Sequence, residues 1–167
     1  MQIRLSLIPL LAVCVLSGCG EKRPANMPVL HPCTITITQG SSPLVDAVVS
    51  LAPVGGGLPQ WDSSARTNSS GVATIMTHAK FPGAPAGAFK VLVTKEMQSP
   101  PTLPMPPKEA DYGEFVAYNA HVSTQPWVRY VEKKYGNANE TLHSITITKG
   151  KNTATFDVGE AIEEVMK

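Results

Sequence analysis

The sequence predicts an all-β fold, a single antiparallel β-sandwich of about seven strands. Apolar and polar residues alternate with period two in short runs, as they do in strands with one buried face. Clusters of Gly, Pro, Asn and Ser separate these runs, as turns separate the strands of a sandwich. One long segment, residues 96–141, lacks the alternation, so we interpret it as a Pro-rich, aromatic insertion before the last hairpin.

The first two runs predict a hairpin near the start of the domain. Residues 33–38 place Cys33, Ile35 and Ile37 on one face and three threonines on the other. Residues 45–51 alternate in the same way, and the sequence Gly-Ser-Ser-Pro at 40–43 has the composition of a turn. The inward residues of the second run are Val45, Ala47, Val49 and Leu51.

Four further runs complete the predicted strands. Residues 72–77 form one strand, and residues 88–94 form another with Phe89, Val91 and Val93 facing inward. Residues 142–148 and 153–158 are expected to close the fold as a hairpin across the turn 149–152. Residues 60–66 supply a possible seventh strand. The inward residues of the closing pair are Ile145, Ile147, Ala154, Phe156 and Val158.

The insertion begins with five prolines in residues 99–107, a composition that favours polyproline II and excludes a central strand. Residues 127–135 are expected to form a short helix, because apolar residues recur there at spacings of three and four. The aromatic side chains of the insertion either form a binding face for sugars or proteins or fill the open edge of the core. The second alternative is favoured. The candidate binding aromatics are Trp127, Tyr130, Tyr118 and Tyr112.

The first residues have the organisation of an export signal. Arg4 precedes an apolar run that is too short to span a bilayer, and small residues follow it. The sequence Leu16-Ser17-Gly18-Cys19 resembles the bacterial lipobox, which implies cleavage after residue 18 and acylation of Cys19. Residues 19–32 are polar and Pro-rich, so they are expected to form a tether. Gly20 follows the cysteine in place of an Asp, which by resemblance favours the outer over the inner membrane.

Composition excludes several classes of function. Without Arg4 the basic and acidic side chains balance, so the chain lacks the cationic footprint of a nucleic-acid-binding protein. Cys14 is expected to leave with the signal and Cys19 to be acylated, so Cys33 is the only free thiol expected to remain. Its place in an alternating strand favours a buried thiol over a reactive one. The four histidines are scattered, so neither a metal site nor a cofactor is predicted.

The order of turns and strands resembles the carboxypeptidase regulatory-like, transthyretin-like domain of small bacterial lipoproteins. The likeness is carried by the GSSP turn, the sequence Leu-Ala-Pro at 51–53, the segment TNSSGVA at 67–73 and the strand PAGAFKVLV at 85–93. A Lys-Tyr-Gly sequence at 134–136 and a final Phe-Asp strand at 156–157 extend it. The resemblance implies a transthyretin-like or Ig-like sandwich at residues 33–158 with a binding, structural or accessory role.

No catalytic constellation accompanies this fold in the sequence. The Gly-x-Ser-x-Gly nucleophile motif and closely spaced histidines are missing, so we expect a protein that is not an enzyme. The favoured hypothesis is a lipid-anchored module that binds a protein or glycan at the cell envelope. An accessory subunit of an envelope enzyme or transport complex is the alternative, and a small enzyme is a third. The tail, residues 159–167, predicts either a helical turn or a frayed end.

Overall fold

The computed structural model describes residues 22–55 and 60–166, and the predicted export signal and the predicted acylation site at Cys19 lie outside the described residues. The strands are β1 (Leu30–His31), β2 (Cys33–Gln39), β3 (Ser42–Pro43), β4 (Val48–Pro53), β5 (Ser63–Arg66), β6 (Val72–Thr74), β7 (Met76–Thr77), β8 (Phe81–Pro82), β9 (Ala84–Pro85), β10 (Gly87–Thr94), β11 (Glu96–Gln98), β12 (Trp127–Arg129), β13 (Ser144–Ile147), β14 (Asn152–Asp157) and β15 (Glu164–Val165). The helix α1 spans Tyr112–Ser123, and a single 3-10 turn spans Lys133–Gly136. No helix of the described residues is long and apolar enough to cross a membrane.

The fold is an all-β sandwich, as the sequence predicts, although its strands are shorter and more numerous than seven. One sheet has the strand order β13-β10-β4-β5-β7-β8, and the other has the order β14-β2-β3 with β6 also paired to β2. The pairing is antiparallel except between β14 and β2, which run parallel. A pair of short strands, β1 and β9, and a three-stranded sheet, β11-β12-β15, complete the structure.

The core lies between the two large sheets and consists mainly of the inward residues of the predicted strands, joined by Leu44, Ala84 and Val131 from outside them. Cys33, Ile35 and Ile37 of β2 are at most 2% exposed. They share one cluster with apolar residues of β4, β10 and β13 in the other sheet. Period-two alternation in the sequence therefore predicts the buried faces of β2 and β10 correctly. The residues contributed by the other sheet are Val49, Leu51, Phe89, Val91, Val93 and Ile147.

The predicted hairpin of residues 33–38 and 45–51 is wrong. After Gln39 the chain turns through Gly40 and Ser41, both at positive φ, and pairs only Ser42 and Pro43 with β2. It then crosses to the other sheet, where β4 pairs with β10 and β5. Val45 lies in this crossing and is 38% exposed, whereas Leu44 is buried. The residue composition of a turn does not distinguish a hairpin from a connection to the other sheet, because both begin with the same reversal of the backbone.

The closing hairpin is wrong for the same reason. β13 pairs antiparallel with β10 in one sheet, and β14 pairs parallel with β2 in the other. The run 72–77 also divides between the sheets: β6 pairs with β2, the amide of Ile75 still donates to the Cys33 carbonyl, and β7 pairs with β5. Each of these segments alternates correctly but changes sheet where the sequence suggested continuity.

The insertion and the tail differ most from prediction. Residues 127–135 contain strand β12 and the 3-10 turn in place of the expected helix, and the α-helix of the insertion lies earlier, at residues 112–123. The Asp111 carboxylate caps α1 by accepting from the amide of Glu114, 2.9 Å away. The tail forms neither the frayed end nor the helical turn that were predicted, because Glu164 and Val165 pair with β12. No strand or helix covers residues 99–111.

The two ends of the sandwich have different attachments. At the end that we call the N-terminal end, β1 pairs with β9 and the Pro32 carbonyl accepts from the amide of Asn152. At the opposite end, which we call the insertion end, Gln39 Nε2 donates to the Tyr130 carbonyl, and the Gly40 amide donates to the Gly159 carbonyl. β2 connects the two ends over roughly 20 Å, at about 3.3 Å per residue.

Leu30 and His31 belong to the range expected to be tether, yet they pair with the sandwich. Leu30 is buried, and Gly83 packs against His31 so closely that a Cβ at Gly83 would lie 2.4 Å from the His31 carbonyl oxygen. Gly83 also has a φ of +99°, which strains any other residue. The range predicted for the tether, residues 19–32, therefore overlaps the sandwich at Leu30 and His31.

Candidate functional site

The insertion and the tail together build the three-stranded sheet at the insertion end. β11 continues from β10, and β12 pairs antiparallel with it at Met97 and Val128. β15 then pairs with the other edge of β12, so a segment next to the C-terminus completes the sheet. The amide of Met166 extends this pairing by donating to the Trp127 carbonyl, 2.8 Å away. The site thus depends on residues that are far apart in the sequence.

Arg129 links all three strands of this sheet. Its Nε lies 3.2 Å from Glu96 Oε1 of β11, and its Nη1 lies 3.1 Å from Glu164 Oε2 of β15. Nη2 contacts the sulfur of Met166 at 3.2 Å. Because the Arg129 side chain is only 20% exposed, these pairs are less screened by water than ordinary surface ion pairs.

The register places Trp127 on the same face as Arg129, since alternate residues of a strand share a face. Gln98 and Met166 lie opposite Trp127, and Glu96 and Glu164 lie opposite Arg129. We call these six residues the Trp127 face. Trp127 is 50% exposed, so a large aromatic ring faces solvent beside an ordered guanidinium.

A cavity of about 340 Å³ adjoins the Trp127 face and shares Glu96 and Arg129 with it. Val93 and Val131, both buried, supply apolar lining, and Glu132 and Lys133 add charges of opposite sign. The 3-10 turn that lines the other side packs tightly on β10: a Cβ at Gly136 would lie 2.8 Å from Thr94 Cγ2. A volume of this size suits a small side chain or a single sugar ring.

The structure does not join the four candidate aromatics into one surface. Tyr130 is half-buried, its amide donates to the Lys95 carbonyl, and the Lys95 ammonium lies 5.7 Å from its ring centroid. Tyr118 is half-buried on α1, and Tyr112 begins that helix at 85% exposure. None of these rings stacks on another aromatic ring among the described residues. Trp127 is the candidate that lies beside ordered charged groups.

A ring stack that sequence reasoning missed fills the open side of the sandwich. The His143 imidazole lies between Tyr135 and Phe156, with centroid distances of 5.1 Å and 4.8 Å. Burial lowers the pKa of His143, and the backbone and charge of Asp157 oppose that shift only in part. Its Nδ1 is buried without a hydrogen-bond partner among the described residues. Tyr135 and Phe156 pack on the core, so the core-filling role expected of the insertion aromatics holds for Tyr135.

The remaining titratable groups give no sign of a metal site. No group of three or more His, Cys, Asp or Glu side chains in residues 22–55 and 60–166 is placed to hold a metal ion. Cys33 is 2% exposed, and burial raises the pKa of its thiol to about 11. The thiol therefore stays protonated at neutral pH and behaves as a small apolar core group.

Comparison of the chain with known protein families, with curated proteins and with solved structures found no match.

Proposed function

We propose that this chain is a membrane-anchored bacterial lipoprotein of the cell envelope whose sandwich carries a non-catalytic, protein-binding surface at its insertion end. The lipobox at Cys19 supports the anchor, and the resemblance to carboxypeptidase regulatory-like domains supports a binding role. The outer membrane is the favoured location because Gly20 follows the cysteine.

The distribution of exposed apolar side chains carries this proposal. Seven of the eleven large hydrophobic residues exposed among the described residues belong to the insertion or the tail, although these form the smaller part of the chain. Exposed apolar groups mark interaction surfaces where they concentrate, and the small sheet carries three of the seven: Trp127 on the Trp127 face, and Met97 and Val165 on its other face. The seven are Met97, Leu103, Met105, Tyr112, Val116, Trp127 and Val165.

The chemistry of the Trp127 face favours a protein partner over a glycan. Trp, Met and Arg are the residue types most enriched where proteins bind each other, and Trp and Arg dominate the binding energy. Arg129 is already ordered by Glu96 and Glu164, so a partner does not pay the entropy of fixing its side chain. The adjoining cavity offers a pocket for one anchoring side chain.

The position of this surface also supports display. The N-terminal tether joins the sandwich at β1, whereas the Trp127 face lies at the insertion end, roughly 20 Å away along β2. A partner would thus approach from the side away from the anchor.

The anchor is tested by intact mass spectrometry of the membrane-extracted protein. We expect a mass equal to residues 19–167 plus acyl chains, and we expect the Cys19→Ala variant to lose that species. A mature chain without acyl groups would contradict the lipoprotein.

The surface is tested by crosslinking the lipidated protein in its native membrane and comparing variants. Trp127→Ala should reduce capture of a stoichiometric partner by about tenfold or more, the effect of losing an interfacial Trp. Val54→Ala is the matched control, because Val54 is 56% exposed but lies outside the insertion and the tail.

Equal loss in both variants, or no loss in either, would contradict the proposal. Glycan binding that depends on Trp127 would replace the protein partner with a sugar. If the captured partner is an envelope enzyme or transporter, the accessory-subunit alternative becomes the specific form of this function.

A further inference from the structure

Charged side chains are distributed unequally between the two ends of the sandwich. Among the described residues, the N-terminal end and the tether leading to it carry one acidic side chain, Asp62, and Glu21 adds one in the adjoining sequence. The basic side chains there outnumber them, although the chain as a whole is nearly neutral. They are Lys22, Arg23, Lys80, Lys149 and Lys151.

The turn 148–151 holds two of these lysines directly beside Pro32, which joins β1 to β2. Asn152 fixes the turn: its Nδ2 donates to the carbonyls of Thr148 and Gly150, and its Oδ1 accepts from the Thr148 amide. The Asn152 amide donates to the Pro32 carbonyl 2.8 Å away, which ties the turn to the residue between β1 and β2. Lys149 and Lys151 are both exposed.

The insertion end has the opposite character. Asp157, Glu160, Glu163 and Glu164 follow one another at the end of β14 and in the tail, and all four are exposed. Glu96 and Glu132 add two more carboxylates there, and the six together outnumber the basic side chains at that end, Lys95, Arg129, Lys133 and Lys134. The molecule is therefore electrically polar along β2, with its basic end at the tether.

An aromatic group of interfacial type lies at the basic end. Trp61 is half-buried, its ring lies 5.1 Å from the His78 ring, and it lines a largely apolar groove of about 230 Å³ with Pro85 and Phe89. Trp is enriched where proteins meet the headgroup region of a bilayer, because its ring is both apolar and polar.

We propose that the N-terminal end docks on the anionic phospholipid headgroups of the membrane that holds the anchor. Lys149 and Lys151 supply the charge and Trp61 enters the interface, so the sandwich stands with its insertion end away from the bilayer. A short tether keeps this end within a few tens of ångströms of the surface, where the attraction acts within a Debye length of about 8 Å. The orientation rests on the proposed anchor, whereas the charge and the exposed lysines do not depend on acylation.

The test uses the mature lipidated chain with Trp127→Phe, which leaves Trp61 as the only tryptophan, in bilayer nanodiscs that contain brominated lipids. We expect quenching of Trp61 emission in bilayers with phosphatidylglycerol, weaker quenching in pure phosphatidylcholine, and loss of the difference at high salt. Each lysine near an anionic surface raises the binding constant for that surface roughly fivefold. The double variant Lys149→Gln with Lys151→Gln should therefore reduce docking by about tenfold or more.

The matched control removes the same charge elsewhere. Lys108 and Lys134 lie in the insertion and are exposed, so Lys108→Gln with Lys134→Gln should leave the quenching unchanged. Equal quenching in both lipid compositions, or equal loss in both double variants, would overturn the docking. If mass spectrometry finds no acyl chains, the anchor fails, yet salt-sensitive quenching by added anionic vesicles would still support the docking surface.

Discussion

The two large sheets and the three-stranded sheet obey the same pairing rules, but different forces hold them. The large sheets enclose side chains with no exposed surface, such as Ile35, Val49 and Val91. The small sheet has strands of only two or three residues and buries Val128. The two ion pairs of Arg129 join its three strands. Apolar burial is worth about 1.5–3 kcal/mol for each large side chain, whereas partly exposed ion pairs contribute about 1 kcal/mol or less.

This difference assigns separate roles to the two regions. The sandwich can supply the stability of the whole domain without the small sheet, because its core cluster contains no residue of β11, β12 or β15. The small sheet can then expose apolar groups at little cost to folding. Weakly held elements of this kind are where binding surfaces are commonly found.

The largest expected effect comes from truncating the sandwich core. Ile35→Ala removes most of a side chain that is 0% exposed and should lower the free energy of unfolding by about 2–5 kcal/mol. Val165→Ala, at a position 57% exposed in the small sheet, should change it by less than about 0.5 kcal/mol. Urea denaturation of the two variants measures the contrast, and similar losses would show that the small sheet is part of the cooperative core.

A smaller effect is expected from releasing the small sheet. Arg129→Gln removes the charges that join Glu96 and Glu164, so the free energy of unfolding should fall by about 1 kcal/mol or less while β15 opens locally. Hydrogen exchange at the Met166 amide, which bonds to the Trp127 carbonyl, should accelerate.

Arg66→Gln is the matched control for that opening. Arg66 ends β5, pairs with Val48 of β4 and donates to the Asp46 carbonyl, so exchange at Met166 should be unchanged in this variant. Equally fast exchange at Met166 in both variants, or no acceleration in the Arg129 variant, would contradict a specific role of Arg129 in holding β15.

The smallest effect concerns pH and the ring stack that closes the sandwich. Burial holds the pKa of His143 below its ordinary value of 6.5, so the folded state binds a proton less readily than the unfolded state. The stability contributed by neutral His143 is therefore complete above pH 6.5 and is lost as the pH falls from there toward the folded pKa.

His143→Phe should remove that part of the pH dependence and keep the stack. Urea denaturation between pH 7.5 and 5 measures it, above the range near pH 3.8 where Asp157 titrates in the unfolded chain. An unchanged slope in the variant would assign the pH dependence to other groups.

Much of the fold could be predicted from local pattern. The runs at residues 33–38 and 88–94 were identified as strands with the correct inward faces, and Ser63–Arg66 confirms a strand at residues 60–66. The strand partners could not be found in this way. Residues 142–148 and 153–158 read as a hairpin, but they lie in different sheets, because alternation specifies which face is buried and not which strand is adjacent.

The candidate site was predicted only in part. Trp127 was selected as an aromatic of the insertion, and the structure leaves it half-exposed. Arg129, Glu96 and Glu164 were not selected, because nothing in their sequence neighbourhoods indicates that residues separated by more than thirty positions pair. The helix predicted at residues 127–135 is wrong, because three apolar residues at helical spacing also fit a short strand followed by a 3-10 turn.

The sequence by itself determined that this protein is a β-sandwich and which residues of β2, β4 and β10 face its core; the export signal and the acylation motif stay predictions from the same kind of local pattern. Those properties follow from residue type and short-range spacing, since a side chain's polarity and a strand's alternation are local. Tertiary structure alone decided which strands pair, that the tail completes the sheet of the insertion, and that the basic and apolar surfaces lie at opposite ends. These are long-range arrangements, set by which buried faces can cover one another, and such a choice leaves no local trace in the chain.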